Sequence, residues 1–344
     1  MDIHKEVNVI NQRKKSYSVT VIAFLIVLLV AGVFMSISIG SSKISLSEII
    51  HAMGKGDAAS KTYRIITFVR IPRTVAAVLA GCALSVSGVI LQSVLNNSLA
   101  GPNIIGVNSG AGLFAVLIAA FFPVGYHLTT IAAFVGAILS ALFVYFIAKK
   151  TGASRMAIVL SGVAVSSFIG AMTDTVITLK PDAVMDRAAF LIGGFSGISM
   201  ERVSFAGGFI VVAVVLSLIL SYDMNILALG DESAKSLGLN VAAIRFLYIV
   251  LAAILAGSAI SFAGLVGFVG LIVPHVSRLL VGYDNRILIP VSALLGSIFT
   301  LICDLLARVL FAPYEIPVGI IMSFLGGPFF IYLLIKGRRG QLYD

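Results

Sequence analysis

Residues 227–239 read Leu-Ala-Leu-Gly-Asp-Glu-Ser-Ala-Lys-Ser-Leu-Gly-Leu, a short polar island between two long apolar runs at 203–221 and 241–263. Asp231, Glu232 and Lys235 crowd into the island, and each charge would cost about 2.5–3.5 kcal/mol at the centre of a hydrocarbon layer even on a lenient insertion scale. The island therefore lies in water, and the runs on either side of it lie in a membrane. Its local signals are helical. Asp231 is a good N-cap, Glu232 puts negative charge in the first turn and Gly238 is a natural stop. Ala234 and Leu237, three residues apart, are expected on one face of this short helix. So short a helix needs a surface to lie against. That surface is either a soluble partner or the chain's own bundle, and the island alone leaves both open.

Composition agrees with the membrane reading. Of 344 residues, 59% are hydrophobic and 11% charged, more apolar surface than a soluble domain of this size can hide. The expected fold class is all-α: a polytopic membrane protein of about ten transmembrane helices. Thirty-three glycines suit helices that approach closely. The net charge of +9 is explained by anchoring on the inner side of the membrane and by lipid contact, with no nucleic acid partner. The two cysteines, Cys82 and Cys303, both lie in apolar runs, so neither a disulfide framework nor a zinc site is indicated. The first run is too long, and lacks the small-residue cleavage site, for a removable signal peptide.

Apolar runs of spanning length occur at 19–39, 71–95, 104–122, 128–148, 156–179, 203–221, 241–263, 264–282, 287–311 and 316–335. Residues 1–18 form a basic tail expected to be flexible, residues 19–335 a single membrane domain, and residues 336–344 a second basic tail. Basic tails belong on the cytoplasmic side, so the number of spans is even. That parity divides 241–282 into two spans, with Gly264, Gly267 and Gly270 offering the turn. The same topology puts a loop of about 40–70 outside, carrying Lys43, Lys55, Lys61, Arg64 and Arg70, with Arg73 just beyond it. This breaks the positive-inside bias. Either the loop is long enough to escape the rule, or the outer face needs positive charge for an acidic partner.

Four places could carry chemistry. Arg70-Ile-Pro-Arg73 sets two guanidinium groups near the mouth of the second span, for an acidic protein surface or for lipid phosphates. Asp304 and Arg308, four apart in the ninth span, form a possible intramembrane pair, with Glu315 shortly after. Asp174 is a candidate buried acid facing a wet cavity. Asn96-Asn97-Ser98 begins an uncharged inner loop, and His275, near the inner end of the eighth span, has no second ligand at metal spacing. No phosphate-binding Gly-Lys-Ser/Thr loop, no HExxH and no nucleophile elbow is present, so no catalytic residue and no metal site are expected.

Taken together, these blocks resemble the permease subunits of ABC importers for iron–siderophore, haem and cobalamin, the FecCD-type permeases of type II importers. The resemblance covers nearly the whole chain. It rests on Arg70-Ile-Pro-Arg73, Ser87-Gly88-Val89-Ile90-Leu91-Gln92, Leu99-Ala-Gly-Pro-Asn-Ile-Ile-Gly106, the island, Phe268-Val-Gly-Leu-Ile-Val-Pro274-His275, Asp304 with Arg308, and Glu315-Ile-Pro-Val-Gly319, all in the family's order.

The resemblance implies a type II permease bundle that pairs with a second permease copy, as a homodimer or a heterodimer. Two ATPase subunits would sit inside, carrying the ATP and Mg, with no cofactor on this chain. A substrate-binding protein would dock outside. The island would be the helix that couples to the ATPase, with Gly230, Asp231, Glu232, Ala234, Leu237 and Gly238 as its residues. Arg70, Arg73 and Arg308 would meet acidic groups on the binding protein, and Asn97 would be a cytoplasmic gate residue. The family commonly has Asn-Pro-Leu-Ala at that gate; here Ser98 stands at the proline and Asn96 where a charge is frequent. The expected function is transport, not catalysis: ATP-driven import of an iron(III)–siderophore chelate by alternating access, through the cytoplasmic membrane of a prokaryote. Haem or cobalamin import, an ion-coupled secondary transporter and a purely structural membrane subunit are the rival readings.

Overall fold

The structure, a computed structural model, describes residues 3–40, 60–122, 126–152, 154–181 and 188–340, and among them it is helical without strands. Helices α1 (Ile3–Ser38), α2 (Lys61–Ile65), α3 (Ile71–Leu95), α4 (Val107–Phe121), α5 (Tyr126–Lys150), α6 (Arg155–Leu179) and α7 (Ala188–Ile192) make the first half. Helices α8 (Met200–Ile219), α9 (Ser221–Ala228), α10 (Asp231–Ser236), α11 (Val241–Ala263), α12 (Val269–Val281), α13 (Asn285–Val309) and α14 (Val318–Gly340) make the second. Seven segments are long and apolar enough to cross a membrane, and Val107–Phe121, Val269–Val281 and Val318–Leu333 are shorter apolar helices. These correspond one for one to the ten apolar runs in the sequence.

Three boundaries differ from expectation, the last helix running to Gly340, into the expected C-terminal tail. The first helix reaches back to Ile3, so most of the expected tail is helical. The second span begins at Lys61 rather than at 71, because α2 continues through a π-helical turn, Ile66–Arg70, into α3. Pro72 has no N–H to return to the preceding turn, and a widened turn just before it absorbs that missing bond. Arg64 and Arg70 therefore sit on helix rather than on loop. Lys43 and Lys55 lie outside the described residues.

Helix α3 is the axis of the bundle. Alanine at 76, 77, 80 and 83, with Gly81 and Gly88, keeps its surface low, and all six are buried. It packs most extensively on α13 and α11. At two places the approach is backbone on backbone. A Cβ on Gly81 would stand 2.2 Å from the Gly296 carbonyl oxygen, and one on Gly88 would stand 2.0 Å from that of Gly270. With no hydrophobic driving force between helices in lipid, such close packing is what holds the bundle together. Helices α1 and α6 lie outermost and keep exposed apolar side chains, among them Phe24, Phe34, Leu160 and Phe168.

The turn between α11 and α12 falls where the glycines predicted it. Gly264 adopts a φ of +74° and Phe268, unusually for an aromatic residue, a φ of +66°. Gly270 serves instead as the contact with Gly88 inside α12.

Candidate functional site

The polar island folds as the sequence predicted in type, though not in every contact. Gly230, at φ +110°, is the N-cap, and Asp231 is the first helical residue. Asp231 is not free to cap because two arginines hold its carboxylate: Arg245 of α11 at 2.7 Å and Arg155 of α6 at 3.0 Å. Partial burial pushes the Asp231 pKa up, but the hydrogen bond from Arg245 and the charges of Arg245, Arg155 and Lys235 outweigh it, and the net direction is downward. The C-terminal end closes on Gly238, at φ +84°, where the Leu239 N–H reaches back to the Ala234 carbonyl at 3.0 Å.

Ala234 and Leu237 do not share a face. Ala234 is fully buried against the chain's own bundle, whereas Leu237 is 64% exposed, and Leu229, just before the helix, is 65% exposed. Glu232, Lys235 and Gly238 are exposed. The island thus lies on the chain's own bundle through Ala234, with an exposed apolar residue at each end, Leu229 and Leu237.

Above the island, α9 is bound to the start of α13. The Asn225 carboxamide donates to Asp284 Oδ1 at 2.8 Å and accepts from the Asn285 backbone N–H at 2.9 Å and side-chain Nδ2 at 2.8 Å. Hydrogen bonds from Arg286 are the main cause that lowers the Asp284 pKa to about 2, against the opposing effect of burial. The Asn285 Oδ1 in turn accepts from Ser93 of α3 at 3.2 Å.

The inner loop opens at the end of α3. Asn96 takes a φ of +46°, the Asn97 N–H returns to the Gln92 carbonyl at 3.1 Å, and the Asn97 Oδ1 accepts from the Leu99 N–H at 2.9 Å. Asn97 is exposed and its side chain braces the turn. Gln92 is itself held by the Arg278 guanidinium and donates to the Gly270 carbonyl. His275 packs edge to face on Phe329.

At the other end of the bundle, the three arginines expected to project outward are buried: Arg70 is 3% exposed, Arg73 6% and Arg308 2%. Arg73 shares its Nε–H between both Asp304 carboxylate oxygens, at 2.9 and 3.2 Å, and reaches Glu315 at 2.6 Å. Arg308 also pairs with Asp304 at 3.0 Å and donates to the Ser36 Oγ and carbonyl at 2.8 and 3.0 Å. Arg70 donates to the carbonyls of Ile37 and Ser38, both at 2.7 Å. The physical reason is plain: the last carbonyls of α1 lack helical partners, and Asp304 needs countercharge in a dry site, so the guanidinium groups turn inward. The expected Asp304–Arg308 pair is present, enlarged by Arg73 and Glu315. Beside this cluster a cavity of about 370 Å³ is lined by Arg73, Arg202, Glu315, Ser196 and Thr130. Asp174, expected to be buried, is exposed on α6. Among the described residues, no group of three His, Cys, Asp or Glu side chains could hold a metal ion.

The sequence profile of the FecCD transport family matches residues 28–336. The chain belongs to that family. It is a multi-pass membrane permease of an ABC importer, a transport component and not an enzyme. The Fe(3+)-citrate import system permease protein YfmD of Bacillus subtilis is 37% identical over 328 residues, covering 95% of this chain and 98% of that one. The cobalamin import system permease protein BtuC of Halobacterium salinarum is 40% identical over 271 residues, covering 78% and 73%. Among solved structures, an inward-facing metal-chelate type ABC transporter superposes with a TM-score of 0.82 at 29% identity, covering 92% of this chain and 99% of that one. In this permease, sequence reasoning missed Arg155, Arg245, Asn225, Asp284 and Asn285 as partners. Their charges and amides were visible, but partners far apart in the chain, such as Arg155–Asp231 and Asn285–Asn225, leave no local pattern.

Proposed function

We propose that this permease imports an iron(III)–siderophore chelate by alternating access, driven by two ATPase subunits that carry ATP and Mg on the cytoplasmic side. The observation that carries this reading is the helix Asp231–Ser236: pinned by its Asp231 to two different bundle helices, it offers Leu229 and Leu237 to a partner. A partner that grips those leucines moves α6 and α11 together. In this reading Gly230, Asp231, Glu232, Ala234, Leu237 and Gly238 make the coupling element, Ala234 as its seat and Leu237 as its contact. Asn97 belongs to the cytoplasmic gate, both termini are cytoplasmic, and a second permease copy completes the pathway.

An external binding protein would dock on the rim around Phe311 and Tyr314, which are exposed. The Arg70, Arg73 and Arg308 guanidinium groups lie beneath that rim and fix its shape. An iron chelate is favoured over other cargo by the likeness to the ferric citrate permease along nearly all of both chains. Cobalamin is the second reading, favoured by the 40% identity to a cobalamin permease over a shorter stretch. An ion-coupled carrier is disfavoured because Asp304 is committed to two arginines and Asp174 stands on an exposed face.

The test is uptake into proteoliposomes holding the permease, its co-expressed ATPase and its binding protein, with radiolabelled ferric citrate, a ferric hydroxamate, haem and cobalamin in parallel. ATP-dependent uptake of a ferric chelate supports the reading. Uptake of cobalamin or haem alone replaces the substrate, and uptake driven by an ion gradient without ATP overturns the class.

A further inference from the structure

We propose that Asn225 and Asn285 relay movement of the coupling helix to the cytoplasmic gate turn at 96–99, through Ser93. The inference rests on the proposed readings of Asp231–Ser236 as the coupling helix and of Asn97 as a gate residue, and adds the route between them. A run of hydrogen bonds joins α9, the segment just before the coupling helix in the chain, to the gate turn. Asn225, on α9, accepts both the backbone and the side-chain N–H of Asn285, at 2.9 and 2.8 Å, and donates to Asp284. Asn285 is 2% exposed and its remaining amide oxygen takes the Ser93 hydroxyl at 3.2 Å. Ser93 is 8% exposed, lies in the last turn of α3, and its carbonyl accepts the Asn96 N–H at 3.3 Å. The next residue is Asn97.

Three features make this run a lever instead of passive packing. Each carboxamide uses both its donor and its acceptor, so neither can rotate without breaking several bonds at once, and linked bonds of this kind reinforce one another. The eight-residue α9 is held at Asn225, at the Leu227 carbonyl by Arg155 and at its N-terminal end by the Tyr248 hydroxyl on the Leu220 carbonyl. Between α9 and the coupling helix stands Gly230, at φ +110°, and Gly238, at φ +84°, stands beyond it, each with nothing within 4 Å of where a Cβ would be. The coupling helix therefore pivots at its two ends, while the segment above it transfers displacement to α13 and to the end of α3. Arg155 and Arg245 tie Asp231 to α6 and α11, and Arg155 also donates to the Leu227 carbonyl of α9, whereas the Asn225–Asn285–Ser93 run is the hydrogen-bonded link from α9 to the end of α3.

The experiment reads the gate turn directly. In the assembled permease–ATPase complex in proteoliposomes, Ser98→Cys in a background with Cys82 and Cys303 replaced by serine is labelled with a maleimide, with and without ATP plus vanadate. The relay predicts a several-fold change in labelling rate on vanadate trapping in the Ser98→Cys parent. Added Asn225→Ala or Asn285→Ala abolishes that change while ATP hydrolysis remains measurable. Ser93→Ala, which removes a single hydroxyl, cuts the change by at least half, and Ser93→Thr restores it; this pair carries the test if either asparagine variant fails to assemble. An undiminished nucleotide effect in the Ser93→Ala and asparagine variants overturns the relay and leaves the permease reading intact. No nucleotide effect in the parent, with hydrolysis present, overturns the gate reading of the 96–99 turn and the relay with it.

Discussion

Arg73 and Asp304, 231 residues apart in sequence, meet where the single Arg73 Nε–H is shared between both carboxylate oxygens, at 2.9 and 3.2 Å, with the Asp304 carboxylate fully buried. Asp304 also faces Arg308, so one carboxylate balances two guanidinium groups and ties α3 to α13. Removing one partner of a buried ion pair leaves uncompensated charge and costs about 3–5 kcal/mol. Asp304→Ala should therefore lower the thermal midpoint of the detergent-solubilised permease by several degrees. The double change Arg73→Met with Asp304→Leu should recover part of the loss, since it removes one charge of each sign and leaves Arg308 with Glu315 as its nearby countercharge. Denaturation followed by size-exclusion chromatography checks both.

Arg70 works more locally. Its guanidinium caps the last carbonyls of α1, at Ile37 and Ser38. Arg70→Ala should raise amide exchange across residues 35–40 by tenfold or more, about 1.4 kcal/mol of local stability, with little change elsewhere. Exchange mass spectrometry on the two proteins gives the comparison.

The backbone contacts make a paired prediction. Gly88→Ala forces a methyl group to within 2.0 Å of the Gly270 carbonyl oxygen, whereas Gly208 has nothing within 4 Å. Overpacking of this kind costs about 1–3 kcal/mol or more, while alanine in an open helical position stabilises by up to about 1 kcal/mol. Gly88→Ala should destabilise and Gly208→Ala should not, in the same thermal assay.

Much of this fold was legible. The ten apolar runs match the seven long and three shorter apolar helices of the folded chain, and the 227–239 island is a short helix between two of them. What stayed hidden were directions and long-range partners. Spacing put Ala234 and Leu237 on one face, but the helix ends at Ser236, so Leu237 leaves the helical register and swings outward. The outer arginines looked like a docking surface because a sequence shows charge without showing which carbonyls and carboxylates will lie beside it. Their neutralisation by Asp304 and Glu315, and their use at the end of α1, come only from the folded chain.

The two island positions separate stability from coupling. Ala234→Asp buries an unpaired carboxylate inside the permease's own bundle and should destabilise the chain by several degrees before any partner is added. Leu237→Asp, at an exposed site, should leave the thermal midpoint within a degree or two and abolish ATP-driven uptake. Equal effects of the two changes on stability would mean that Leu237 also packs inward.

The central claim is that the 231–236 helix is the contact through which an ATPase drives this permease. Site-specific photocrosslinking tests it most directly: a benzophenone amino acid at Leu237 or Leu229, irradiated in membranes that contain the co-expressed ATPase. The account predicts an adduct of permease with the ATPase at both positions, and none from a benzophenone at Leu160 on the outer face of α6. An adduct from Leu160 alone, or none at Leu237 and Leu229 in a complex that copurifies intact, would contradict it.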